Sequence, residues 1–434
     1  MYFIGDVVRS IWKDESEKYQ RSYKESMERD INDLYDEAMK RARMGLIEYP
    51  GVNMNLLVTK GCPHSISDGK FSGCSMCDYH SKFALSLAAM AALRERDPKM
   101  YSKVVRASFD NVRGNLPDAN IVELVSGYDT LSTDEFPDEA YEEVFGKGRI
   151  FKKNPFLYVF ETRASSITRE NLERIGRYFD KRDRVQVEIG VEVGNEWIRN
   201  HWINKDITNN DIINGVKLVH EAGYKVLADV IIGIPGLTEN QSIKYFKETL
   251  MWLEELGVDE FTCLPLNRKN RTLQGFLYSN LKTSTRLNGL GGANGEHTGL
   301  PWLYTAYEAV YQVLIEKPSM AHKINVLQLN PKKNMIENNI AYNDNQQCQC
   351  NMQVLQVLSQ FQTSKNPENY IKAREEMVNS ECYHFYSEFK NKQLQLGDIT
   401  NTMTIIAEEV AKELWPESYN SKLNKFADEL KSFK

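Results

Sequence analysis

No stretch of this 434-residue chain stays apolar long enough to cross a bilayer. Its first residues, Met1-Tyr-Phe-Ile-Gly-Asp-Val-Val-Arg-Ser10, lack the charged-then-apolar order of a secretion signal. A cytoplasmic location without a membrane partner is the expectation. A basic excess is missing too: 60 Asp and Glu against 54 Lys and Arg give a formal charge of -6. Such a chain has no general electrostatic footprint for nucleic acid, so that partner is disfavoured. Internal repeats and low-complexity tracts are absent. Cysteine is scarce, at seven residues unevenly spaced. An odd, irregular set in a reducing compartment argues against a disulfide framework and for metal binding or catalysis.

Three of those cysteines, Cys62, Cys74 and Cys77, stand together in a Cys-x11-Cys-x2-Cys run, Gly61-Cys-Pro-His-Ser-Ile-Ser-Asp-Gly-Lys-Phe-Ser-Gly-Cys-Ser-Met-Cys-Asp-Tyr79. The run follows Met54-Asn-Leu-Leu-Val-Thr-Lys60, whose content is strand-like and would deliver the loop to one end of a sheet. Three thiolates can hold a four-iron cluster with one iron open to a ligand. The alternative is a zinc knuckle completed by His64 or His80, in a binding protein without catalysis.

With 41% hydrophobic residues the chain can bury a large core. Strand-like runs at 53–60, 119–126, 156–163, 184–193, 225–234 and 259–266 alternate with helical periodicity, as in 168–179, 209–221 and 241–256. Six βα units joined by right-handed crossovers predict an α/β fold, a partial (β/α)6 TIM-like barrel, with chemistry at the C-terminal ends of the strands. Polar signals fall there: the cysteine loop, Ser126-Gly-Tyr-Asp129, Glu161-Thr-Arg163, Glu192 and Gly233-Ile-Pro-Gly236. Residues 1–50 read as an N-terminal helical extension, 51–270 as the barrel and 271–434 as a mostly helical C-terminal region.

These residues carry a resemblance to the radical S-adenosylmethionine (SAM) superfamily, and within it to the archaeosine-biosynthesis proteins and relatives of the Elongator catalytic subunit. Gly61-Cys62 with Ser72-Gly-Cys-Ser-Met-Cys-Asp-Tyr79, Glu161-Thr-Arg163, Glu188 to Asn195 with Ile203-Asn-Lys205, and Pro301-Trp-Leu303 are similar to family segments. The cysteine spacer is longer here, and Ala164 stands where the family has proline. The resemblance implies a [4Fe-4S] cluster on Cys62, Cys74 and Cys77 and SAM bound by Tyr79, Ser126, Gly127, Glu161, Arg163, Glu192, Lys205, Gly233 and Pro235. It also implies a reducing partner such as a flavodoxin or ferredoxin.

The reaction expected is reductive cleavage of SAM to a 5'-deoxyadenosyl radical and hydrogen abstraction from a substrate. The acidic balance favours an amino-acid-derived small molecule over tRNA 7-deazaguanine, and cleavage of another SAM C–S bond stays open. Glu161 with Arg163 reads alternatively as a structural ion pair at the rim, and Lys205 as a solvated helix-end lysine. Cys348, Cys350 and Cys382, with His384 nearby, raise a second metal or cluster site against free buried thiols. Cys263 reads as a core cysteine, and Tyr304 and Tyr307 as one helical face.

Overall fold

The alternation of strands and helices resolves into a six-stranded, all-parallel sheet whose strands lie side by side in chain order. Its strands are β3 (Val122–Val125), β4 (Leu157–Thr162), β5 (Val185–Glu192), β6 (Lys225–Ile232), β7 (Glu260–Pro265) and β8 (Ile324–Val326). The computed structural model describes residues 2–42, 58–78, 80, 84–115, 122–125, 128–147, 157–179, 185–290, 300–327, 340–343 and 349–433. Chain neighbours are sheet neighbours throughout, as expected of right-handed crossovers that curl a parallel sheet into a partial barrel.

Helices Arg169–Gly176, Asn209–Glu221, Glu239–Glu255 and Leu303–Glu316 cover the outer face. Two begin with capping boxes, Thr208 with Asp211 and Thr238 with Gln241, so local chemistry starts them where the strand-to-helix turns need them. Under them Tyr158, Phe160, Val185, Val187, Ile189, Val226, Ala228 and Val230 form one continuous core. Strand alternation turns the other set inward: Glu161 on β4, Gln186, Glu188, Gly190 and Glu192 on β5, Asp229 on β6. Register sets Glu161 beside Glu188 and Gly190 beside Asp229.

Of the strand expected at 53–60, residues 53–57 lie outside the described residues and 58–60 are irregular. β8 was not foreseen, because three residues, Ile-Asn-Val, are too short to show a period. Between Cys62 and Cys74 the chain forms a small hairpin, β1 (Ile66–Ser67) with β2 (Lys70–Phe71), turned by Asp68 and Gly69 at φ 53° and 69°. Left-handed backbone at both turn positions is what an Asp-Gly hairpin requires.

The hairpin rests on the N-terminal helices. Phe71 donates its amide to Ser16 Oγ at 3.0 Å and packs against Trp12 and Tyr19. Helix Phe3–Ile11 is in turn held by helices Ile399–Leu414 and Tyr419–Leu430. There Phe3, Ile4, Val7, Met403, Ile406 and Phe426 share a second core, and Asp6 pairs with Lys422 and Lys425 at 2.9 and 2.8 Å. Among the described residues no helix is long and apolar enough to cross a membrane.

Candidate active site

The three cysteines lie on one loop, tied to the barrel rim by main-chain bonds. Cys62 is buried and Cys74 and Cys77 are half-buried. Ser65 N–H donates to Cys62 O at 3.0 Å and Cys77 N–H to Cys74 O at 3.1 Å, giving each end a turn. Ser72 N–H reaches back to Ser65 O at 2.9 Å, so the hairpin closes the long spacer and brings its ends together. Gly61 has φ 88°, and a side chain there would meet His80 Nε2 at 3.0 Å. Glycine is needed for both reasons.

Burial pushes the Cys62 thiol up to about 12 and raises that of Cys74. The positive charges of Arg163 on both, and of Lys205 on Cys74, act in the opposite sense. A metal binding here displaces protons from these sulfurs, with the two cations favouring the thiolates.

The strand ends supply the rest of the mouth. Glu192 closes β5 at a bulge, with φ 68°, and is 4% exposed. Its Oε1 accepts from Lys205 Nζ at 2.6 Å, while Oε2 has no hydrogen-bond partner among the described residues. Gly190 makes space for this pair: a Cβ there would fall 2.5 Å from Lys205 Nζ. Burial acts to lower the Lys205 pKa, but the Glu192 carboxylate outweighs it and the net shift is upward. Lys205 is therefore a buried, paired cation rather than a solvated one.

Arg163 donates through Nη2 to the carbonyls of Lys205 and Asp206 at 2.7 and 3.1 Å. Asp129 organises its backbone by accepting from Arg163 N–H, Thr162 Oγ1 and Ser166 Oγ. Glu135, fully buried, accepts from Thr59 Oγ1 at 2.6 Å and from the amides of Tyr128 and Asp129, linking the approach to Cys62 with the loop after β3. Burial raises its pKa to about 8.

Sequence reasoning did not single out Asp229 or Glu135, took His64 only as a zinc-ligand alternative, and met Glu188 and Asn204 only inside family-like segments. Glu188 and Asp229 are surrounded by protein yet only half-buried by surface area, as side chains that open onto an internal space are. They hydrogen-bond to each other, and burial with neighbouring carboxylates raises both pKa values, so the pair holds a proton. The readable signal was in Val-Gln-Val-Glu-Ile-Gly-Val-Glu of β5, where a parallel strand shows a polar face instead of apolar residues throughout.

Tyr79, Ser126, Gly127 and Cys348 lie outside the described residues. The face of Gly233 where a side chain would stand is filled by Pro301, whose Cγ lies 2.5 Å from the Cβ position, and Pro235 O accepts from Trp202 Nε1 at 2.6 Å. Cys350, at the start of helix Cys350–Ser364, is disulfide-bonded. Cys382 is half-buried in helix Glu381–Gln393. Cys263 is a fully buried core residue, and Tyr304 and Tyr307 are buried in helix Leu303–Glu316.

The donor set fits an iron-sulfur cluster. Three sulfurs share one loop, and His64 has its Nε2–H engaged by Asn204 O at 2.6 Å, which leaves that nitrogen unable to bind zinc. Among the described residues no three His, Cys, Asp or Glu side chains gather around the position of one metal ion. A cube asks for a different arrangement, because each thiolate binds its own iron. The unpartnered Glu192 Oε2 shows that this rim also leaves a polar contact to be completed.

Residues 56–251 match the family profile described as the radical SAM superfamily. No curated protein matches the chain. Among solved structures it is similar to the radical S-adenosylmethionine methyltransferase TsrM from Kitasatospora setae with cobalamin and a [4Fe-4S] cluster bound. The identity is 12% and the TM-score 0.39, over 75% of this chain and 61% of that one. A second TsrM structure, with tryptophan substrate and the SAM analogue aza-SAM, matches at 13% identity and TM-score 0.39 over 77% and 62%. The chain thus spans about three fifths of the structures it matches. The match to the radical SAM superfamily thus takes in the cysteine loop and strands β3 to β6.

Proposed function

We propose that Cys62, Cys74 and Cys77 hold the cluster, and that the enzyme abstracts hydrogen from an amino-acid-derived small molecule in a biosynthetic reaction. The observation that carries this reading is the cysteine loop seated at the strand ends beside the buried Lys205–Glu192 pair and Arg163. A cluster held by these cysteines would, when reduced, provide the one electron needed to cleave SAM to methionine and the 5'-deoxyadenosyl radical.

The chain's own residues bind, orient and keep water out. Lys205 offers a desolvated cation for the SAM carboxylate. Glu192 holds that ammonium by Oε1 and leaves Oε2 to accept from a ribose hydroxyl or the SAM ammonium. Glu161 and the Glu188–Asp229 pair line the interior below, where acceptor oxygens suit hydroxyl and amine groups. The electron comes from a flavodoxin- or ferredoxin-like donor. A net charge of -6 favours a small molecule over tRNA, the second reading.

Anaerobic reconstitution tests the proposal. The expected result is a brown protein with about four irons and four sulfides per chain that forms 5'-deoxyadenosine from SAM under dithionite. A colourless protein that takes up only zinc overturns it.

A further inference from the structure

The flanks of two cluster cysteines meet on one short segment of the loop after β5. Ser75, next to Cys74, donates its amide to Ile203 O at 2.8 Å and its hydroxyl to Trp202 O at 2.9 Å. On the other side of Cys74, Ser72 O and Gly73 O accept from Asn204 Nδ2 at 2.7 and 2.8 Å. His64, two residues after Cys62, donates Nε2–H to Asn204 O at 2.6 Å. A carbonyl oxygen can only accept, so this bond keeps a proton on Nε2 and fixes the orientation of the ring.

We infer that Asn204 is a positioning residue for the cluster: its carboxamide and main-chain carbonyl set the geometry at which Cys62 and Cys74 present their sulfurs. The inference rests on the cluster assignment proposed above. Only asparagine meets both demands of the position. Its φ is 60°, the left-handed region that glycine, asparagine and aspartate tolerate best. Glycine would keep that backbone but lose both donated bonds, and aspartate would set a carboxylate against two carbonyl oxygens.

The segment is rigid enough to act as a template. Arg199, with no exposed surface, donates to Val193 O and Ile207 O at 2.9 Å each and to Asn209 Oδ1, and its own carbonyl accepts from Lys205 N–H at 3.0 Å. Arg163 bonds the carbonyls of Lys205 and Asp206 from the β4 side. Because Lys205 follows Asn204 directly, one anchored loop sets both the cysteine geometry and the cation at the mouth. Outer bonds of this kind commonly change metal affinity by ~10- to 100-fold when removed.

The test compares Asn204→Gly, Asn204→Asp and His64→Ala with wild type after anaerobic reconstitution. Iron and sulfide content, the electron paramagnetic resonance spectrum of the reduced cluster with and without SAM, and thermal unfolding of the cluster-free protein are measured. Asn204→Gly is expected to retain cluster ~10-fold less well on mild chelation and to lose the SAM-dependent change in the spectrum, with Asn204→Asp more severe. His64→Ala is expected to weaken retention in the same direction without touching the template, and it decides the matter if the Asn204 variants fail to fold. Full iron with a wild-type spectrum and SAM response in Asn204→Gly shows that asparagine is there only for its backbone, and the same outcome in His64→Ala likewise overturns the inference. Wild-type protein that binds no cluster fails the functional proposal instead, a separate result.

Discussion

The two faces of β5 are built from the same eight residues to opposite ends. Outward, Val185, Val187, Ile189 and Val191 are 4% exposed or less and join one apolar core with the helices. Inward, Gln186, Glu188 and Glu192 carry polar groups and Gly190 leaves room for Lys205, and among the described residues Gln186 Nε2 and Glu192 Oε2 have no partner. Stability is concentrated on one side of the ribbon, and the other side is left incomplete for ligands. Strand alternation separates the two tasks at a distance of one residue.

The sharpest test of that separation is Cys74→Ala, at the inner mouth. It is expected to abolish cluster binding and 5'-deoxyadenosine formation while the cluster-free protein melts within ~2 °C of wild type. A large loss of melting temperature would make the loop a structural element and erase the contrast. Ile189→Ala, on the outer face, should do the reverse. Emptying that site costs ~2–5 kcal/mol in denaturant unfolding, with SAM cleavage per folded, reconstituted enzyme kept within ~2-fold.

Lys205→Met examines the buried ion pair with Glu192 at the inner mouth. It leaves the Glu192 carboxylate buried without its cation, for about 3 kcal/mol of destabilisation, and adding Glu192→Gln should recover more than half of it. If the double variant is no better than the single one, the pair is not a unit. The smallest effect is on pH. Glu135 has a folded pKa raised from 4.5 to about 8, so its contribution is complete below 4.5 and is lost as pH rises through 8. His64 and His80, lowered to about 4 and about 3, act in the opposite sense, but only below 6.5, where the unfolded imidazole still binds a proton. Stability of the cluster-free protein should therefore fall between pH 6.5 and 8, and Glu135→Gln should flatten that slope. A rise with pH in wild type would contradict the assignment.

What could be read in advance follows range along the chain. β5, β6 and β7 were placed to within about two residues because alternating apolar runs bounded by capping signals are local facts. The cysteine loop was legible for the same reason. The role of Asn204 was not, since its partners Ser72 and Gly73 lie 132 and 131 residues away and are main-chain carbonyls with no signature in residue type. The Glu188–Asp229 bond depends on strand register, which the separate runs do not specify. The Asp-Gly turn inside the cysteine spacer was legible in principle, and it explains why a long spacer closes without slack.

The contact of Asp6 with Lys422 and Lys425 spans nearly the whole chain. Helix Phe3–Ile11 packs on helix Tyr419–Leu430 on one side and, through Val8, joins the cluster beneath Phe71 on the other. The cysteine hairpin thus stands on a floor assembled from two remote stretches of sequence.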